Sequence, residues 1–379
     1  MAWRLKPIEE QTIVVTGASS GIGLATAHLA AARGANVVLV ARNQDALREA
    51  AKEINGKDGG RAIFIAADMA DEGAPHRIAS VADQAFGGFD TWVNNAAVAI
   101  LGRLDSTTMS EHRQIFDIGY FGLAGASLFA AAYLKRRGGG AIVNIGSILS
   151  DRAAPLQGAY SAMKHAVQGF TESLRMELEM EKAPVSVTLI KPAGIHTPYP
   201  EHARDKLAKH AAIPPTAYDP RLVAEAICFA AANRKRTMTV GGQGLVLTKL
   251  AGLFPRTTDR IMEAFFEKAQ STSQPPPPGV KDNLFQARRD GRIESSQDQY
   301  VRRHSITLKA QMHPVATAAV LAGIAIAAAG FLSGRKAAAR RRDFSSERLR
   351  HQKGTQPAPV RFGETGGGHH IPTAEDIRI

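Results

Sequence analysis

The sequence predicts an α/β fold: a mainly parallel, seven-stranded sheet with helices on both faces, followed by an extension of different character. Three observations carry this. Apolar β-branched runs alternate with helical patterns from the first residues onward. The runs are continuously apolar, as strands buried on both faces must be. A helical pattern fills the gaps, so successive strands run parallel and the chain winds over both faces of the sheet. At 379 residues and 44% hydrophobic content, the chain holds enough for one such domain plus an extension.

The expected strands are Thr12–Thr16, Asn36–Ala41, Ala62–Ala66, Thr91–Asn94, Ala141–Ile145, Val185–Ile190 and Met238–Val240. Helices are expected over Gly23–Arg33, Gln44–Ile54, Glu72–Ala82 and Tyr160–Met180 among others. The folded body spans residues 1–270. Ser271-Thr272-Ser273-Gln274-Pro275-Pro276-Pro277-Pro278-Gly279 opens a proline-rich, polar linker, 271–311. A candidate membrane helix follows at 312–334, and a basic tail at 335–379 reads as disordered.

The first chemical signal is Thr16-Gly17-Ala18-Ser19-Ser20-Gly21-Ile22-Gly23, between the first strand and the first helix. Gly17 permits a tight turn, Gly21 lets backbone approach a pyrophosphate, and Gly23 lets the helix pack on the strand. The free N–H groups of the helix start then face the phosphates. This predicts a Rossmann-type, doubly wound three-layer sandwich that binds a dinucleotide. The second strand ends in Ala41-Arg42, where a carboxylate would hold a ribose 2′-hydroxyl. Arg42 instead suits a 2′-phosphate, so NADP(H) is the expected cofactor. Asp68, past the third strand, is placed to accept from the adenine amine or to cap the helix that follows. Asn95 and Ala96 follow the fourth strand and lie on the adenosine side, while Asn94 ties strands together.

The second signal is Tyr160-Ser161-Ala162-Met163-Lys164, with Ser147 thirteen residues before the tyrosine. Tyr160 and Lys164 share one helix face. A nearby ammonium is expected to lower the phenol pKa towards neutrality and make it a usable acid and base. Ser147, after the fifth strand, can polarise a substrate oxygen.

On these motifs the chain resembles the short-chain dehydrogenase/reductase family over residues ~10–245. The resemblance implies an oxidoreductase with Tyr160 as acid/base, Lys164 holding the nicotinamide ribose, and Ser147 orienting substrate. It also implies that Pro192, Ile195 and Thr197 form the nicotinamide-side loop, Ile195 and Thr197 binding the carboxamide. Three positions depart from the family pattern. Ala97 and Ala193 stand where glycine is usual, which is mild. Gly119 stands where the family has an asparagine that holds a relay water. It favours the alternative reading, a catalytically weak dinucleotide-binding sensor or scaffold.

The substrate pocket is expected to be lined by Ser147, Leu149, Leu156, Tyr160 and Tyr199, which suits a hydrophobic carbonyl or alcohol. Arg204, Lys206 and Lys209 read as a solvated helix face. Cys228, the single cysteine, lies in an apolar run and reads as a buried thiol.

Net charge is +12, and residues 271–379 hold 17 Lys/Arg against 9 Asp/Glu. The basicity therefore belongs to the extension and suits an anionic membrane surface. Val315–Leu332 carries no charge and would span about 27 Å as a helix, near the ~30 Å hydrocarbon core. Small residues recur along it, at Ala316, Ala319, Gly323, Ala327 and Gly330. The expected location is at a membrane with the catalytic body in the cytoplasm. A second copy of the chain is an expected partner. Nucleic acid and metal are not, since no zinc spacing or RNA motif is present and His369-His370 is too small a cluster.

Overall fold

A computed structural model describes residues 3–57, 61–272, 275, 281–288, 291–329 and 331. The central sheet has seven strands: β1 (Thr12–Thr16), β2 (Asn36–Ala41), β3 (Ala62–Ala66), β4 (Thr91–Asn94), β5 (Gly140–Ile145), β6 (Val185–Pro192) and β7 (Thr237–Val240). Their order is β7-β6-β5-β4-β1-β2-β3 and every pairing is parallel. The chain reverses winding direction between β1 and β4, where open α/β sheets bind ligands at the strands' C-terminal ends. All seven expected strands are present, with edges within two residues.

The helices follow from local signals. In chain order they begin with α1 (Gly21–Ala32), α2 (Gln44–Asn55), α3 (Ala74–Phe86) and α4 (Met109–Phe116). Then come α5 (Gly122–Arg136), α6 (Gly158–Met180), the short α7 (Tyr199–His202) and α8 (Pro220–Ala232). After these come α9 (Gly242–Leu253), α10 (Pro255–Ala269) and α11 (Ile306–Met312). Asn43 caps α2 by accepting from Ala46 N, a cap of about 1 kcal/mol. Thr108 and Glu111 form a reciprocal capping box on α4. A π-helical turn over Asp117–Phe121 joins α4 to α5. The third helix starts at Ala74, not Glu72, because Gly73 is the N-cap and Pro75 sits in the first turn.

Two apolar layers hold the sheet. Val15, Leu39, Val143 and Val240 pack under α1, α2 and α8 on one face. Val14, Val38, Trp92 and Ile142 pack against α3 and α5 on the other. Cys228 lies in the first layer, and burial pushes its thiol up to about 12. It is an inert core residue.

The boundary expected near Gln270 moves. The compact unit runs from Met1 to Pro314. Leu284 and Leu308 are fully buried, each burial worth about 1.5–3 kcal/mol. Val301 and Arg302 pair in parallel with Ala217 and Tyr218. Gln311 exchanges hydrogen bonds with the backbone of Thr239 on β7. The described part of 271–311 is thus mostly part of the body rather than a free linker. The residues at 273–274 and 276–280 lie outside the described residues.

The second unit is Val315–Ile379. Its described part continues a helix, Pro314–Ala329, on which Val315, Val320, Leu321, Ile324 and Ile326 are exposed. Among the described residues, the one unbroken helix long and apolar enough to cross a membrane is Met109–Arg136. Half of its apolar window is buried inside the body, so it is a core helix. Gly330, Leu332 and the basic tail 335–379 lie outside the described residues.

Candidate active site

β1 delivers the chain to Gly17, which turns with φ +67°. A Cβ there would stand 2.8 Å from Asn95 Nδ2, so the turn excludes side chains by both conformation and space. Asn95 Nδ2 donates to the carbonyls of Thr16 and Gly17 at 3.0 and 3.2 Å. Thr16 Oγ1 in turn accepts from Asn95 N and Ala96 N at 2.9 and 3.1 Å. Asn95 and Ala96 therefore hold the glycine turn in shape. Asn94 points into the core and bonds Ser127 and Asn144.

Beyond this turn lies a cavity of about 210 Å³, lined by Gly17, Ser19, Ser20, Gly21, Ile22, Arg42, Asp68, Asn95 and Ala96. Tyr160, Lys164 and Thr197 close its far end. The Arg42 guanidinium reaches across it. Its Nη2 donates to the Asn283 carbonyl. Its Nη1 is buried without a hydrogen-bond partner, 3.9 Å from Asp68 Oδ2. With no hydrogen bond on Nη1 and only the long ion pair to Asp68, the guanidinium keeps donor capacity for an anion. Asp68 is not the cap of α3: it accepts from Ala70 N, and Asp71 serves Gly73 N.

The catalytic side chains converge from two elements. β5 ends at Ile145, and Ser147 starts a short turn in which its Oγ accepts from Leu149 N at 3.1 Å. Tyr160 and Lys164 lie on the first turns of α6. Lys164 Nζ donates to the Ile145 carbonyl at 2.7 Å and sits 5.5 Å from the Tyr160 ring centroid. Burial pushes the Tyr160 phenol well above its ordinary value, while a hydrogen bond with Ser147 pulls it down. Burial brings the Lys164 ammonium down to about 8. The phenol is thus raised where the sequence led to an expected lowering: desolvation dominates at Tyr160, and the Ser147 hydrogen bond opposes it only in part.

Gly119 lies in the π-helical turn. A Cβ there would stand 2.8 Å from the Sδ and Cε of Met163, which is fully buried. Met163 fills the space beside Gly119.

A second cavity of about 460 Å³ opens on the other side of Tyr160. Ser147, Leu149, Tyr160, Pro192, Ile195, Thr197 and Tyr199 line it. Leu156 does not: it turns with φ +63° and sits at a tight bend where its carbonyl accepts from Gly102 N. In its place the wall is made by Ile213, Leu247, Met262 and Phe266, the last three from α9 and α10. Arg152, ion-paired with Asp259, and Gln157 are polar groups on its rim. Arg204 and Lys206 are not a solvated face. They pair with Glu111 at 2.9 and 2.7 Å. Burial raises the Glu111 pKa, but hydrogen bonds from Lys206, Thr108 and Arg204 outweigh it and bring the carboxyl to about 2.

The family model described as short chain dehydrogenase matches residues 11–208. The chain belongs to the short-chain dehydrogenase family. It is therefore an oxidoreductase of the type that acts on an alcohol/carbonyl pair. This dehydrogenase is 43% identical over 323 residues to an uncharacterized oxidoreductase, YxnA, of Bacillus subtilis, covering 85% of this chain and 90% of that one. The matched length exceeds 270 residues, so the likeness runs into the segment after α10. An NADP-dependent (R)-specific alcohol dehydrogenase of Lentilactobacillus kefiri is 32% identical over 192 residues, 50% of this chain and 75% of that one. Among solved structures, L-sorbose reductase of Gluconobacter frateurii, complexed with NADPH and L-sorbose, superposes with a TM-score of 0.55. It is 26% identical and covers 64% of this chain and 98% of that one.

The fold of this dehydrogenase thus brings Ser147, Tyr160, Lys164 and the glycine turn together around two adjoining cavities. Sequence reasoning missed the α9–α10 wall and Asn283, Ala287 and Arg288 beside Arg42. For the wall a signal existed: Ile261, Met262, Phe265 and Phe266 form apolar pairs one helical turn apart. Met262 is buried, whereas Ile261 and Phe265 face outward.

Proposed function

We propose that this dehydrogenase interconverts a carbonyl and an alcohol on a hydrophobic small molecule, using NADP(H), with Tyr160 as the proton donor and acceptor. The observation that carries this is that Tyr160 lines both cavities. The residues on its dinucleotide side fit a nucleotide phosphate: the turn at Gly17 where no side chain fits, the start of α1, and Arg42, whose Nη1 makes no hydrogen bond. On the other side the wall is largely apolar. When bound, the nicotinamide supplies or takes the hydride. Everything else falls to the chain. Ser147 positions the substrate oxygen against the Tyr160 hydroxyl, which gives or takes the proton. Lys164, anchored on Ile145, stands beside the Tyr160 ring and would hold the nicotinamide ribose. Apolar residues of α9 and α10 exclude water from the reacting carbon.

The two known cofactor-bearing proteins named above support NADP(H), and Arg42 is the residue that would select it. A screen of NADPH oxidation over lipophilic aldehydes and ketones tests the reading. Turnover with some of them, abolished by Tyr160→Phe, is expected. Turnover that survives this substitution removes Tyr160 from the chemistry. The second reading, a weakly catalytic dinucleotide sensor, is favoured by Gly119, whose space Met163 has filled. Binding of NADPH without turnover of any carbonyl would support it.

Two further parts of the reading concern partners. The exposed apolar helix of the second unit, with the basic residues after it, would attach the protein to a membrane, the body remaining cytoplasmic. Exposed Leu128 on α5 and Met176 on α6 would be covered by a second copy of the chain. Sedimentation and vesicle binding measure each.

A further inference from the structure

Residues 281–288 and 291–296 run beside the dinucleotide cavity, which Asn283, Ala287 and Arg288 line, and their backbone carbonyls take up donors at its wall. Asn283 O accepts from Arg42 Nη2. Arg288 O accepts from Asn43 Nδ2 at 3.1 Å. Arg292 O accepts from Gly21 N at 2.8 Å, at the start of α1 where a pyrophosphate would be held. We propose that this segment is an autoinhibitory strap: its carbonyls stand in for cofactor phosphate oxygens, and NADP(H) binds by displacing it. The proposal rests on the dinucleotide reading given above.

Three features support competition over a lid that closes on bound cofactor. These three donors are already satisfied, so a phosphate can reach them only by replacing a carbonyl, although Arg42 Nη1 keeps no hydrogen bond. The cavity left beneath the strap is about 210 Å³, below the ~300 Å³ at which sites for drug-sized ligands begin. The exchange is also favourable in kind, since a phosphate oxygen is charged and a carbonyl is not. The strap is nevertheless held. Leu284 is buried in a core cluster with Ile115, Ile118 and Met163. Asp282 pairs with Arg204 at 3.0 Å. Glu201 Oε1 accepts from Ser295 Oγ, Ser296 N and Ser296 Oγ at 2.7, 2.9 and 3.0 Å. Asp282 and Leu284 hold one end and Ser295 and Ser296 the other; between them the Arg288 side chain also donates to the Glu201 carbonyl, so displacing the Arg288 and Arg292 carbonyls breaks that bond as well. The apparent dissociation constant rises in inverse proportion to the fraction of time the strap is open.

The test uses the full chain and NADPH, whose fluorescence reports binding without turnover. Ser295→Ala with Ser296→Ala removes the hydroxyl anchors at one end and leaves the core intact. Leu284→Ala loosens the other end. Both variants should bind NADPH at least about fivefold tighter than the parent, the low end of coupling between sites, and should associate faster. The gain should be larger for NADPH than for NADH, because Arg42 is among the groups released. Limited trypsin cleavage after Arg288 and Arg292 should become faster when NADPH is added to the parent chain. Protection of these bonds by NADPH, or weaker or unchanged binding by the Ser295/Ser296 variant, overturns the strap as a competitor. If no folded form binds NADPH, the cofactor reading itself falls and the strap has nothing to compete with.

Discussion

Lys164 is buried beside the Tyr160 ring, and burial brings its ammonium down to about 8 from 10.5. Between those values the unfolded chain binds more protons than the folded one, so stability rises with pH across the window. Below pH 8 the native state carries the whole cost of burying the charge, offset only in part by the bond to Ile145 O. Lys164→Met should therefore melt above the parent at pH 7, the difference shrinking from pH 8 to 10.5, while turnover is lost. Thermal denaturation at pH 7, 9 and 10.5 measures this, and a lower melting point at pH 7 would show that the Ile145 bond outweighs the cost of burial. Tyr160→Phe should cost at least ~10²–10⁴-fold in turnover, the range of general acid–base groups, with little change in NADPH affinity. Arg42 should favour NADPH over NADH by about tenfold, since a charge-assisted pair is worth about 1.5–3 kcal/mol. Competition titrations give the ratio, which Arg42→Asp should reverse; equal affinities in the parent would remove Arg42 from the 2′-phosphate site. For Gly119→Asn the structure changes the expectation drawn from sequence. The missing asparagine alone suggests a harmless or helpful restoration. Met163 occupies its space, so the substitution should destabilise by about 1–3 kcal/mol and reduce turnover. Adding Met163→Ala should recover part of the stability in a denaturant titration.

Among elements, the strands were legible because most are buried along their length and so written as largely apolar runs; β3, at the sheet edge, is half-exposed yet still apolar in sequence. The glycine turn and the Tyr160–Lys164 pair were legible because their chemistry restricts residue types. Leu156 misleads because its side chain suits a pocket but its backbone is committed to a left-handed bend. The strap left no trace, because three of its contacts to the site are made by carbonyls, which every residue possesses. The α9–α10 wall lies between these cases: its apolar pairs are visible, but not which of each pair faces the cavity. Met262, which is buried, and Phe266 line that cavity. Met262→Ala should raise KM for a lipophilic substrate while leaving kcat nearly unchanged, since this contact is made equally in ground and transition states. Steady-state kinetics on the best carbonyl from the screen decides it; a matching fall in kcat would mean that Met262 also shapes the reacting geometry.

At the scale of the whole molecule, the question is where the enzyme ends. Composition places the end at the proline run, and a chain cut at Gln274 would then be complete. Packing places it at Pro314. A cut at Gln274 would uncover the sites of Leu284 and Leu308 and remove the strand pairing at Val301 and Arg302. The two leucines alone are worth about 3–6 kcal/mol, comparable with the ~5–15 kcal/mol net stability of a typical domain. The 1–274 chain is therefore expected to be poorly soluble or to melt far below the parent, whereas a 1–314 chain should fold, bind NADPH and turn over. The same pair of cuts tests the membrane reading. Full-length protein should sediment with membranes and resist high salt if the helix is inserted; release by salt would mean that only the basic residues hold it, at roughly 1 kcal/mol per Lys or Arg near the surface. The 1–314 chain should remain in the supernatant. If the full chain stays there too at low salt, the apolar helix covers itself against protein and membrane attachment is refuted.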